Sequence, residues 1–256
     1  MSPHFVISLD LIRVSGQLLN SVSGPLFPAW NYWLLEHFFR LVPHDDARMN
    51  FAEFFIFNSL ASYWLFAVAF YLAWRRADEK TVWRRGRLVE IVFACVLAVF
   101  TGHLLRRWLG AAAPALNPSF QSLFPPYLWG HGAPNSFPSD STLVYFLVAA
   151  GLWPINRRWS AALAAWAIVG ISLPRVYMGG HFPTDVISSI VLAFVFLGAA
   201  RAAGETRFVA KALNRIAAGG LIIEFFLFLW LFELGEGFRA SLEIGRLMWL
   251  AITRGA

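Results

Sequence analysis

"LVEIVFACVLAVFTGHLL", residues 88–105, decides the fold: it is an apolar run interrupted by a single carboxylate, Glu90. A helix needs about 20 predominantly apolar residues to cross about 30 Å of hydrocarbon. Five further runs approach that length, at 51–74, 140–156, 159–178, 182–202 and 214–234. Residues 1–45 are also apolar, but Pro25, Pro28 and scattered charges break them. They fit one or two helices lying in the interface better than a clean span. The expected fold is all-α: a polytopic membrane helix bundle of about six transmembrane helices plus N-terminal interfacial helices. Neither repeats nor low-complexity tracts divide it. Residues 1–50 are expected to form the interfacial or partly inserted segment and 51–205 the membrane core. Residues 206–256 would add a last transmembrane helix and an amphipathic tail carrying Arg239 and Glu243.

Composition agrees. Of 256 residues 58% are hydrophobic and 14% charged, where a soluble domain carries about 25% charge. Mean hydropathy is +0.58. With 12 Trp and 25 Phe, the chain has aromatic residues to place at both membrane interfaces. The net charge of +6 does not point to nucleic acid, because cytoplasmic loops of membrane proteins collect Lys and Arg anyway. The one cysteine, Cys95, excludes an intrachain disulfide, and a lone thiol argues against a metal site; it reads as a small buried hydrophobe. The first residues, "MSPHFVISLDLIRVSG", lack a basic n-region, a long apolar core and an Ala-x-Ala site, so no cleavable signal peptide is expected.

The loops set an orientation. Residues 75–87, "RRADEKTVWRRGR", hold six basic residues; 156–158 read "NRR"; and 201–215 hold Arg201, Arg207, Lys211 and Arg215. They alternate with 106–139, which has no Lys or Arg after Arg107, and with a short turn near 179–184. The positive-inside rule puts the basic loops in the cytoplasm. The polar motifs then gather at the outer face. They are "HLLRRWLGAAAPALNP" at 103–118, "FPSDS" at 137–141 and "LPRVYMGGHFPTDV" at 173–186.

The last stretch carries the most chemistry. If the chain is helical from 182 onward, His181 sits at the helix start and Asp185 one turn along on the same face. A carboxylate there can accept an imidazole N–H, fix the tautomer and stabilise a charged ring. Arg175 supplies a planar donor fork suited to phosphate, and Pro183 suits a first helical turn. A Pro-Ser-Asp turn leading into a helix, Pro138–Asp140, offers backbone N–H groups and the positive dipole end to an anion. Ser139 can add a hydroxyl, or Ser139 or Asp140 can cap the helix; the two readings are compatible.

These residues resemble the type 2 phosphatidic acid phosphatase superfamily, in its bacterial membrane branch. That family carries Lys-x6-Arg-Pro, then Pro-Ser-Gly-His, then Ser-Arg-x5-His-x3-Asp. Here the third motif is Pro174-Arg175-x5-His181-x3-Asp185, whole except for its leading Ser. The second is Pro138-Ser139-Asp140-Ser141, with Ser141 at the His position. Asp in place of Gly resembles the members that act on undecaprenyl diphosphate. The first is Arg106-x6-Ala113-Pro114, with Arg for Lys and Ala for Arg. The resemblance covers about residues 50–205.

It implies a lipid phosphatase or phosphotransferase that needs no cofactor and no metal. His181 would attack phosphorus and form a phospho-histidine, with Asp185 orienting the ring. Arg106, Arg175 and the N–H groups around Ser139 and Asp140 would hold the phosphate oxygens. The implied partners are a lipid phosphate or diphosphate and the bilayer, with no nucleic acid; the oligomeric state is not legible. The expected location is a bacterial inner membrane with the site facing the periplasm or exterior. Arg106, Ser139, Arg175, His181 and Asp185 are expected around one pocket.

Ser141 is a poor proton donor, and a lost general acid costs roughly 10²–10⁴ in rate. Three answers stand open. A diphosphate lipid leaves as a phosphate monoester and needs no proton. Another residue steps in, with His131 or His103 as candidates beside Ser141 itself. Or the protein binds a lipid phosphate or a membrane partner without turnover. Glu224, within the last apolar run, is by default a functional hint.

Overall fold

The computed structural model describes residues 27–76, 78–109, 111–128 and 135–235. His131, Arg239, Glu243 and the first 26 residues lie outside the described residues. Every regular element described is helical, as the apolar runs require, because a helix satisfies its own backbone groups in hydrocarbon.

The chain enters through α1 (Pro28–Leu41) and α2 (Asp46–Phe57). The Asp45 carboxylate accepts the Arg48 N–H at 2.8 Å and starts α2, which runs across the expected boundary at residue 50. The expected 51–74 span is not continuous. The Asn58 side chain accepts the Ala61 N–H at 3.1 Å and opens a new turn, α3 (Ser59–Ser62), before α4 (Trp64–Arg75). Asn hydrogen-bonds backbone locally and so favours caps over helix interiors. The residues before the break are thereby freed to lie elsewhere.

The long α5 (Thr81–Leu109) and α9 (Pro183–Gly204) pack with α6 (Asp140–Gly151) at the centre. Between α6 and α9 the chain climbs through α7 (Arg157–Trp166), a π-helical turn at Ala167–Ser172 and α8 (Leu173–Tyr177). These three run on as one apolar span, 157–177. α10 (Arg207–Ala217) and α11 (Leu221–Gly235) complete the bundle, with a 92° bend between them. Among the described residues, three helices are long and apolar enough to cross a membrane, or four if the bent pair is one span; α4 and α6 are apolar but shorter.

The main core joins Phe66, Phe70 and Trp74 of α4 to Leu88 and Ile91 of α5 and to Leu143 and Leu147 of α6. Tyr145 of α6 donates its hydroxyl to the Leu234 carbonyl and ties α11 to the core. The outer surface of α5 is different. Phe93, Val96, Leu97 and Phe100 are each about half exposed or more. In water that stripe would be a large unpaid apolar area; in a bilayer it meets lipid.

At the basic end, Arg84 is buried, donates to the Ala73 carbonyl at 2.9 Å and grips both Asp78 oxygens at 2.7 and 2.8 Å. Glu224 sits beside Arg75, 3.6 Å away, and both side chains are about half exposed. Its carboxylate therefore meets a cation at this end of the bundle. A second core cluster, containing Leu35, Met49, Phe120, Phe124, Tyr177 and Phe182, lies at the opposite end. It supports the loop that carries His181.

Candidate active site

The loop between α8 and α9 is built on glycine. Gly179 has φ +69°, a conformation side chains resist. A Cβ there would lie 2.7 Å from Ala115 Cβ and 3.0 Å from Phe124. The Ala115 N–H donates to the Gly179 carbonyl at 3.1 Å, so the Ala113–Pro114 segment is docked on this turn. Ala113 itself is fully buried; the guanidinium expected at its motif position has no counterpart there. The turn then delivers His181, whose side chain is 14% exposed.

The ring is held by an unforeseen partner. His181 Nδ1 lies 2.7 Å from the Ser136 carbonyl. A carbonyl can only accept, so Nδ1 carries the proton and Nε2 is left with its lone pair. The expected orienting group, Asp185, is 3.9 Å from Nδ1. Its carboxylate instead accepts the Phe182 N–H at 2.9 Å and so starts α9. The Ser136 hydroxyl lies between the Ala111 carbonyl, at 3.2 Å, and Asp185. Burial, then the charge of Arg175, and further off Arg106, push the His181 pKa from 6.5 down to about 3, against the pull of the Ser136 carbonyl. Burial and the neighbouring guanidinium thus favour the neutral imidazole.

Arg175 and His181 line one cavity of about 720 Å³, together with Asp46, Asn50 and Glu53 of α2 and with Tyr127. Arg175 is braced from behind: it donates to the Ile171 carbonyl at 2.8 Å and to the Tyr63 hydroxyl. The other three expected residues are not on that cavity wall. Arg106 pairs with Asp140 at 2.5 Å and reaches the Pro138 carbonyl at 3.2 Å, while its charge is still felt at His181 and Asp185. Ser139 is fully buried. Its N–H donates to Ser189 Oγ at 2.9 Å. Its hydroxyl is 2.9 Å from Thr142 Oγ1, which is 2.8 Å from Ser172 Oγ; Ser172 donates to the Ala167 carbonyl at 2.7 Å. Ser141 is half-buried in the first turn of α6. His103 bonds the Val99 carbonyl of its own helix at 3.1 Å.

The arrangement thus offers a neutral, oriented imidazole and a braced guanidinium on one cavity. Sequence reasoning missed Ser136, Tyr63 and the polar face of α2. Ser136 acts through its backbone, which no side-chain pattern announces. Glu53 was hidden inside 51–74, a run read as a membrane span, and Asp46 and Asn50 inside the segment read as interfacial.

Residues 87–208 match the PAP2 superfamily. A lipid A 1-phosphatase of Rhizobium johnstonii (strain DSM 114642 / LMG 32736 / 3841) is 34% identical over 110 residues, 41% of this chain and 43% of that protein. A lipid A 1-phosphatase of Rhizobium etli (strain ATCC 51251 / DSM 11541 / JCM 21823 / NBRC 15573 / CFN 42) is 34% identical over 128 residues, 48% of each. The undecaprenyl-diphosphatase BcrC of Bacillus subtilis (strain 168) is 22% identical over 165 residues, 64% of this chain and 79% of that protein. The chain spans about half the length of the first curated relatives it matches. No solved structure matches it at a comparable level. Arg106, the Phe137–Ser141 turn, Arg175 and His181 all fall within residues 87–208, the part of the chain that matches the PAP2 superfamily.

Proposed function

We propose that this chain is an integral-membrane phosphatase or phosphotransferase for lipid phosphates, with a (poly)prenyl diphosphate as the favoured substrate. One observation carries the reading: Nδ1–H of His181 is donated to the Ser136 carbonyl at 2.7 Å, which leaves Nε2 as the nucleophile on a cavity shared with Arg175. The names of the relatives, undecaprenyl-diphosphatase and lipid A 1-phosphatase, support the substrate class.

Nε2 attacks the terminal phosphorus, the N–P bond forms, and the P–O bond to the leaving group breaks. The leaving oxygen of a diphosphate departs as a phosphate monoester, a weak base. Ser141 at the general-acid position is then no handicap. Arg175 stabilises the charge on the equatorial oxygens. Asp185, 3.9 Å from Nδ1, offsets the positive charge that the ring gains. Water or another acceptor then takes the phosphoryl group.

The cavity lies at the end of α5 and α9 away from the basic loops 75–87 and 201–215. With those loops cytoplasmic, the site faces the periplasm or exterior of a bacterial inner membrane. A second reading rests on the Arg106–Asp140 pair at 2.5 Å. With that cation already matched, the site would hold a lipid phosphate without turning it over.

Purified protein in detergent, given a panel of lipid monophosphates and diphosphates, separates the two. Phosphate release that disappears in His181→Ala, with an acid-labile phosphoenzyme in wild type, supports catalysis. Lipid binding with neither signal sinks it in favour of the second reading.

A further inference from the structure

We propose that Glu53, on α2, positions and deprotonates the water that resolves the phospho-histidine; this rests on the phosphatase reading above. An acidic leaving group excuses Ser141 only in the first half of the reaction. In the second half the enzyme species is the same whatever lipid came before, and a water must attack phosphorus. A serine hydroxyl cannot accept a proton at neutral pH any better than it can give one.

The geometry points to Glu53. Asp46, Met49, Asn50 and Glu53 all line the cavity. Their spacing of i, i+3, i+4 and i+7 is one face of a helix, so α2 lays a polar face along the wall shared with His181 and Arg175. Two carboxylates are on that face, and depth chooses between them. The start of α2 sits at the level of Tyr177, whose hydroxyl lies against the Pro43 carbonyl at 3.0 Å. Farther along, Phe51 and Ala52 share a groove with Val169 and Leu173, and Phe55 meets Trp166 edge-on. Helix α2 therefore runs down the α7–α8 span. The guanidinium of Arg175 also reaches down, to the Ile171 carbonyl. Glu53 is at that guanidinium's depth, while Asp46 is two turns higher.

Glu53 is exposed to the cavity and has no hydrogen bond or ion pair among the described residues. Its carboxylate is thus free to bind water. Arg175 on the same wall offsets its repulsion of the phosphoryl oxygens. In the step, the water oxygen bonds to phosphorus as the P–N bond breaks, and that electron pair returns to Nε2. One water proton passes to Glu53 and the other stays on the phosphate. Glu53 then releases its proton to solvent. The Nδ1–H bond to Ser136 is kept throughout.

Rapid-quench kinetics on a diphosphate lipid test this, following lipid monophosphate and inorganic phosphate separately. In wild type the two should appear together. Glu53→Gln should show a burst of lipid monophosphate equal to the enzyme present, then a steady rate about 10²-fold lower or less. The trapped phosphoenzyme should rise in parallel. Glu53→Asp should recover part of the steady rate. A Glu53→Gln enzyme with an unchanged steady rate overturns the role of Glu53 while leaving the phosphatase reading intact. So does equal slowing of burst and steady phases, which marks a structural defect. Absence of both products from wild type overturns the phosphatase reading itself.

Discussion

Lowering the pH from 7.5 to 5 should leave the nucleophile of this protein almost untouched. An ordinary histidine, with a pKa of 6.5, would be only about 3% unprotonated at pH 5. His181, held near 3 by burial and by Arg175, would be about 99% unprotonated. The two cases predict very different chemistry: about a 30-fold loss of the His-dependent step in the first and less than 2-fold in the second. Selective ¹⁵N-histidine labelling reads the difference without any substrate. The chain has six histidines, and the signal lost in His181→Ala assigns the one of interest. It should report a proton on Nδ1 and none on Nε2, unchanged from pH 8 to 5. A transition near pH 6.5, or a proton on Nε2 at neutral pH, would refute the assignment of the nucleophile. The sign also holds for stability. Between pH 6.5 and about 3 the unfolded chain takes up a proton at this site before the folded one does. The contribution is therefore whole above 6.5 and is lost as pH falls through that window.

Asp140→Asn should release Arg106 from its 2.5 Å ion pair and lower KM for a lipid phosphate. An unchanged KM means that Arg106 does not meet substrate. Ser141→His should raise turnover of a lipid monophosphate by about 10² and that of a diphosphate far less; equal gains on both would show that the leaving group is not what Ser141 depends on. Gly179→Ala should lower thermal stability by a few kcal/mol, on the order expected for a strained backbone with an added clash, and displace His181; a stable, active variant would mean that the Ala115 contact yields easily.

The bundle was legible because hydrocarbon is a simple solvent: run length and loop charge carry most of what decides it. The His181–Asp185 register was legible because helix geometry converts four residues into one turn. The break at Asn58 was not, since one capping side chain among aromatic residues barely changes mean hydropathy. Its consequence is large, because it sends α2 to the cavity rather than through the membrane. The partner of His181 was hidden for another reason. Asp185 is the right residue type at the right spacing, yet the nearer acceptor is a main-chain oxygen 45 residues back. Backbone groups are the same at every position, so only the folded chain reveals which one is used.

The hydroxyl series that ends on Ala167 has a polarity of its own. The last acceptor is a carbonyl, which can only receive. Ser172 gives its single proton there, so it must receive from Thr142, and Thr142 must receive from Ser139. One oxygen in the π-helical turn therefore sets the direction of every O–H bond back to the Phe137–Ser141 turn. Ser139 keeps only lone pairs outward, and its amide is already given to Ser189. A group in that state repels an oxyanion and welcomes a donor. The phosphate is thereby left to the guanidinium side, while Ser139, buried off the cavity wall, stays committed to the packing of α6 against α9.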